Sequence, residues 1–403
     1  MKVLFIYHCG LSEESISIYR EFVKQGVDLA VIVPSKIIVA GIYAPSGGFE
    51  YTSKYDEKSY QFFPVELRKP VSYGEGFKFF QLFSAIRKAK PDIIHVIDEY
   101  SSFYLAQTIL CRNILYGRKV PVACSAGQNI HFKSPPFVFE FSPRSFKRIA
   151  YKILRPFLFH YYHKNNVAGA TASNEGALDV IRAFNVKFPL RLIPWAVDIS
   201  IFYPKNRNLC RKNLGIPENI KLIGNIGRFN REKGLQNLVK ALSKLEEYYL
   251  MLVGGGDYEE ELQKLIDSLG IRNRIFHFKN IDRQNLLNYY NILDAFVLPS
   301  LTTPDWKEQY GRVLTEAMAC HIPIIGSSSG EIPRVLKGYP KHLIFQEDSV
   351  EDLVSKIKEI ERLKFPENFD INNFLDKYST ENFVREHIKF YKELLLKSYG
   401  TQK

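Results

Sequence analysis

The sequence is poor in the features that mark several large protein classes. Its five cysteines (Cys9, Cys111, Cys124, Cys210, Cys320) stand singly in 403 residues, with no Cys-x-x-Cys and no Cys/His spacing suited to zinc. An odd, dispersed set fits reduced thiols better than a disulfide framework. No run approaches the ~18 uninterrupted apolar residues that a spanning helix needs. The opening "MKVLFIYHCG" is too short in its apolar run, and wrongly ended, for a secretory leader. It reads as a first buried strand. Low-complexity tracts are absent. So is a complete dinucleotide fingerprint: "YHCGLS" is short of glycine, and in "VGGGDYEEE" Glu259 stands where a third glycine belongs. The acids crowding that helix start disfavour a pyrophosphate, so the expectation there is a structural turn. A nicotinamide-dependent oxidoreductase stays only as an alternative.

What is present is globular. Hydrophobic residues make up 46% and charged residues 24%, enough apolar material for two cores, and the length favours two domains. The net charge of +12 points to an anionic partner: nucleic acid, acidic lipid or a phosphorylated substrate. No stacking platform or recognition helix is legible, so nucleic acid is not expected.

Short apolar, β-branched runs alternate with amphipathic segments, which predicts parallel sheets covered on both faces. "KVLFIY", "VDLAVIVP", "PDIIHVID", "VPVACSA", "AGATAS" and "LRLIPW" form a first series. Ser12 is placed to cap the first helix, with Glu13 and Glu14 in its first turn and Gly26 to end it. Residues 40–75, rich in Tyr, Gly, Ser and Pro, read as irregular. After a linker near Pro194 the alternation restarts with "KLIGNIG", "YLMLVGGG", "IFHFKN", "AFVLPS", "IPIIGSS" and "HLIF", and the chain closes on a long helix, "STENFVREHIKFYKELLLKS". Two doubly wound βα units in tandem follow, each with ligand space at the carboxyl ends of its strands.

Two motifs carry chemistry. In "GNIGRFNREKG" a strand passes through glycines into a helix, and Arg228 and Lys233 add positive charge, which suits a diphosphate. In "DWKEQYGRVLTEAMA" a loop holds Glu308 and a helix starting near Gly311 holds Glu316. Two carboxylates at fixed distance can accept hydrogen bonds from sugar hydroxyls.

Together with "GSSSGEIPRVL", these motifs resemble the family 4 retaining glycosyltransferases of GT-B fold. The similarity is specific over about residues 190–346 and continues more weakly through "PDIIHVIDE" and "RLIPWAVDISIFYP". The resemblance implies two Rossmann-like domains facing a cleft: 1–200 for the acceptor, 201–380 for the nucleotide sugar, and a helix over 381–403 packing back on the first. It implies Glu308 as the catalytic carboxylate, beside the donor sugar, and Arg228, Lys233 and Gly10 at the donor diphosphate. Tyr310, Gly311, Arg312, Val313 and Glu316 would serve sugar and ribose, with Glu316 on the ribose, and Asn280 and Ile281 the nucleobase. Many members carry a histidine after the strand read here as "VPVACSA". Gln128 or Asn129 stands at the equivalent place, and His131 follows. No Asp-x-Asp triplet occurs, so no metal and no cofactor are expected, only a UDP- or GDP-type donor. A sugar-nucleotide-binding relative without catalysis is a second alternative.

The basic stretch "SPRSFKRIAYKILRPFLFHYYHK" (142–164) repeats apolar residues at helical spacing, with Arg and Lys over the rest. It reads either as a packed helix with a solvated basic face or as a seat on anionic lipid. The second suits a cytoplasmic enzyme, peripheral at the membrane, with a lipid-linked acceptor or surface-polysaccharide precursor.

Overall fold

The computed structural model describes residues 1–37, 49–52, 55, 58–69, 76–129 and 161–400. The chain divides into two units: Met1–Pro194 with Phe383–Lys403, and Trp195–Asn382.

In the first unit, β1 (Lys2–Ile6), β2 (Asp28–Pro34), β5 (Gln61–Val65), β6 (Ile93–Ile97), β7 (Val122–Ala126), β8 (Gly169–Ala172) and β9 (Leu190–Leu192) form one sheet in the order β5-β2-β1-β6-β7-β8-β9. Every neighbouring pair in it is parallel. A small antiparallel pair, β3 (Lys36–Ile37) and β4 (Phe49–Glu50), lies apart from it. The period of two along β1 shows why the sheet is covered twice. Leu4 and Ile6 enter the core shared with α2 (Phe79–Ala89) and α3 (Phe103–Tyr116), while Phe5 meets Phe22 of α1 (Glu13–Lys24) at 5.1 Å between rings. Ser12 caps α1, its hydroxyl accepting from the Ser15 amide at 3.2 Å.

β5 corrects the expectation of irregular chain over 40–75. Its Pro64 pairs with Val33 at the outermost position of the sheet, and an edge strand tolerates a proline because one side needs no donor. The rest of that stretch is described only in part.

The second unit carries β10 (Lys221–Ile226), β11 (Tyr248–Val253), β12 (Ile275–Phe278), β13 (Ala295–Leu298), β14 (Ile324–Ser327) and β15 (His342–Phe345), ordered β12-β11-β10-β13-β14-β15 and all parallel. Leu222 and Ile226 of β10 enter one apolar cluster and Ile223 the other, so this sheet too is buried on both faces. Strand order reverses between β1 and β6 in the first sheet and between β10 and β13 in the second. Those reversals leave a crevice beyond the strand ends, where doubly wound sheets bind ligands.

The final helix, Thr380–Gly400, turns Val384, His387, Tyr391 and Leu394 inward with Phe383 and Phe390. It packs on the first unit's sheet: Tyr391 lies 6.3 Å from Phe22, and Gly169 of β8 leaves room that a Cβ would close to 2.6 Å from Phe390. Among the described residues no helix is long and apolar enough to cross a membrane.

Candidate functional site

In the second unit the loops after β10 and β13 flank the strand reversal, and the motif residues ride on them. Lys233 ends a short 3-10 turn, Arg231–Lys233, in the first loop. Its Nζ lies 2.7 Å from Glu308 Oε2, and the Ser300 hydroxyl donates to the same oxygen at 2.7 Å. The Lys233 ammonium also lies 4.8 Å from the centre of the Trp306 ring. Glu308 is 5% exposed, so its charge depends on these donors. Its backbone is fixed as well. The Glu331 amide donates to Glu308 O at 3.0 Å, and Gly330, at φ +54°, packs so closely that a Cβ would stand 2.1 Å from that carbonyl. "GSSSGEIPRVL" therefore supports the Glu308 loop from beneath.

Arg228 is half-buried in the loop after β10 and makes no hydrogen bond or ion pair among the described residues. A guanidinium held at a strand end without a carboxylate suits an arriving anion.

α9 (Arg312–Ala319 in the numbering α4 Glu175–Arg182, α5 Arg207–Asn213, α6 Leu235–Ser243, α7 Glu259–Ser268, α8 Leu286–Asn291) starts from Gly311 with no side-chain cap. Gly311, Arg312 and Val313 are half-buried and everything after them in the helix is buried. The uncapped amides of this first turn lie at the end of β13, on the same edge as Arg228 and Lys233. Glu316 sits a turn deeper, 3% exposed. Its Oε2 accepts from the Tyr290 hydroxyl at 2.7 Å, and its Oε1 lies 3.0 Å from Arg283 Nη2. The two glutamates thus have separate surroundings. Tyr310 is buried, and its hydroxyl donates to Trp195 O at 3.2 Å, which places its polar end in the packing of the unit. Asn280 holds a left-handed φ of +54° just past β12 and is exposed, beside half-buried Ile281.

The triple glycine after β11 is explained by packing. A Cβ on Gly254 would stand 2.0 Å from Gly227 O, and Phe229 N donates to Gly255 O at 2.9 Å. The turn is filled by the neighbouring loop, which removes the footing of a dinucleotide reading there.

The first unit has its own polar edge. Gly10 lies in the turn after β1, its amide donating to Tyr7 O at 3.2 Å, in a place where a Cβ would stand 2.7 Å from the Tyr19 hydroxyl and 2.9 Å from Val33. Gln128 is half-buried and Asn129 buried just past β7. His131 and residues 142–160 of the basic stretch lie outside the described residues. Sequence reasoning passed over Glu99, whose Oε1 accepts from the amides of both Gly127 and Gln128 at 2.9 Å. Burial first, then the charge of Asp98, pushes its carboxyl up to about 7. Asp98 is also raised by burial, and His8, stacked on Tyr104, is lowered by burial. The legible signal was a pair of acids directly after a buried strand. Arg283 and Tyr290 left no such signal, because their partner Glu316 is distant in sequence.

Comparison with known proteins agrees with this layout. Residues 206–375 match the family model described as glycosyl transferases group 1. The chain is 29% identical over 213 residues to an uncharacterized glycosyltransferase of Methanocaldococcus jannaschii, covering 49% of this chain and 51% of that protein. It is 30% identical over 142 residues to D-inositol 3-phosphate glycosyltransferase of Mycolicibacterium smegmatis, covering 34% and 32%. The chain thus spans about half, or less, of these curated relatives. HepE of Anabaena, solved in complex with UDP, superposes with a TM-score of 0.68 at 14% identity, covering 98% of this chain and all of that one, a likeness of fold.

Proposed function

We propose that this chain, which has the GT-B fold and matches the group 1 glycosyl transferases over residues 206–375, moves a sugar from a nucleoside-diphosphate sugar to a hydroxyl acceptor with retention of configuration. The observation that carries the reading is the buried Glu308, held by Lys233 and Ser300 at the strand reversal of the second unit, with Arg228, which has no ion pair among the described residues, on the loop that follows β10. Arg228, Lys233 and the first amides of α9 would meet the charge of the leaving diphosphate, so the proposal includes no metal. Glu308 would stand against the sugar, where its carboxylate stabilises developing positive charge. Glu316 would take the ribose, and the backbone at Asn280 and Ile281 the base. UDP is the first nucleotide to test, since it is the one bound by HepE. The first unit would receive the acceptor, with Gln128 and Asn129 at the end of β7. A lipid-linked acceptor at an anionic membrane surface suits the basic composition of 142–164.

The test is a screen of UDP- and GDP-sugars for nucleotide release that depends on an added acceptor. One donor class is expected to turn over, and Glu308→Gln should lower that turnover by about 100-fold or more. Undiminished turnover in Glu308→Gln and in Arg228→Ala would sink the assignment.

A further inference from the structure

Most buried arginines in a fold answer to the backbone around them, and Arg211 shows what that looks like. Its guanidinium, 1% exposed, donates to the carbonyls of Ile292, Glu218 and Ile220 and to Asp294. Arg283 is different, its side chain 24% exposed. It has one ion pair, Nη2 to Glu316 Oε1 at 3.0 Å, and its guanidinium lies 5.3 Å from the centre of the buried Phe202 ring. Its Nε, although buried, finds no acceptor among the described residues. The fold gains little hydrogen bonding from this side chain, so its position is explained by the carboxylate it holds.

From the other side, the Tyr290 hydroxyl donates to Glu316 Oε2 at 2.7 Å. Burial and the charge of Glu316 raise the Tyr290 phenol well above its ordinary value, so it stays a donor. Each carboxylate oxygen is therefore pinned by one fixed donor and keeps one acceptor direction for a ligand. A pair of adjacent hydroxyls can donate to two acceptor oxygens of this kind.

We propose that Arg283 is a positioning residue that sets selectivity for ribonucleotide over 2′-deoxyribonucleotide donors by orienting Glu316. This rests on the reading of Glu316 as the ribose-binding carboxylate. Without Arg283 the carboxylate loses its anchor on Oε1 and can rotate about its last bond. Its two acceptor directions then no longer meet both hydroxyls at once.

The experiment is calorimetric binding of UDP, 2′-deoxy-UDP, GDP and 2′-deoxy-GDP to the full chain, wild type and Arg283→Gln, Arg283→Lys and Glu316→Gln. In the wild type the preferred nucleotide should bind about tenfold or more tightly than its 2′-deoxy form, the worth of one hydrogen bond to a charged acceptor. Arg283→Gln should bring that ratio to within about threefold while 2′-deoxy binding changes little. A merely structural role would weaken both forms equally. Arg283→Lys keeps the charge without the planar fork and should give an intermediate ratio; it carries the test if the glutamine variant does not fold. A full wild-type ratio in either arginine variant, with the ratio lost in Glu316→Gln, overturns this proposal and leaves the ribose reading standing. No discrimination in the wild type, or an unchanged ratio in Glu316→Gln, overturns the ribose reading itself.

Discussion

A carboxyl enclosed at the end of a parallel sheet is costly to ionise, and Glu99 carries that cost. Its folded value of about 7 lies above the ordinary carboxyl value, so the folded chain binds a proton that the unfolded chain has already released. The stability this gives is complete at low pH and is lost as pH rises through about 7. Glu99→Gln keeps an oxygen for the Gly127 and Gln128 amides but cannot ionise. Urea unfolding at pH 5 and pH 8 should therefore show the wild type losing on the order of 2 kcal/mol relative to the variant between the two. A flat difference would refute it. Lys233 presents the opposite case. Lys233→Ala takes the ammonium away from the buried Glu308 carboxylate, and should cost the second unit about 2–3 kcal/mol as well as transfer activity. Tryptophan fluorescence reads that loss, because Trp195 and Trp306 are both in the second unit. These two residues also mark how far sequence reaches at this scale. Lys233 and Glu308 were legible because each lies in a local motif. What the motif could not supply was that the Ser300 hydroxyl folds back onto the same carboxylate within the loop after β13, and that the Gly330 turn of a different loop packs against the Glu308 backbone.

Strand and helix alternation was legible almost throughout, because parallel strands buried on both faces must be continuous apolar runs. β5 was the exception: a proline and few neighbours of clear pattern hid a strand that only its edge position permits. The final helix shows the converse. Its length was plain from periodicity, but the polar lock beneath it was not. His95 Nδ1 meets the Tyr391 hydroxyl at 2.5 Å, His95 Nε2 meets Ser125 Oγ at 2.8 Å, and Ser125 meets Thr171 at 2.6 Å, while Arg191 pairs with Glu393 at 2.7 Å. Burial holds both imidazoles neutral, His387 down to about 4 and His95 well below its ordinary value, the second lowered also by the first. As pH falls below the ordinary histidine value of about 6.5, the unfolded chain gains protons that the folded chain refuses, so stability drops. Amide exchange in Thr380–Gly400 should lose protection between pH 7 and pH 5 beyond the change in intrinsic rate. His387→Phe, set among Phe383, Phe22 and Tyr391, should reduce that loss. Equal loss in both proteins would show that His387 does not govern it.

For the whole molecule, the decisive fact is that the first unit is built from both ends of the sequence. Five apolar side chains, Phe383, Val384, Phe390, Tyr391 and Leu394, close one face of its sheet. Burying each is worth roughly 1.5–3 kcal/mol, comparable in total with the net stability of a domain. A chain stopped after Asn382 should bind a hydrophobic dye strongly and lose exchange protection in β1 and β6, while the tryptophan signal of the second unit stays native. Retained protection in those strands would show that the helix is dispensable.

The same return of the chain fixes an order of events during synthesis. The first unit's sheet leaves the ribosome early, yet the helix that covers it is made only after the 188 residues of Trp195–Asn382. At ordinary elongation rates that is a wait of roughly ten to forty seconds with an apolar face uncovered. The unit of Trp195–Asn382 is therefore made before the helix that covers the first unit's sheet, so any factor that shields nascent protein has a long task at the face around Phe5 and Phe22.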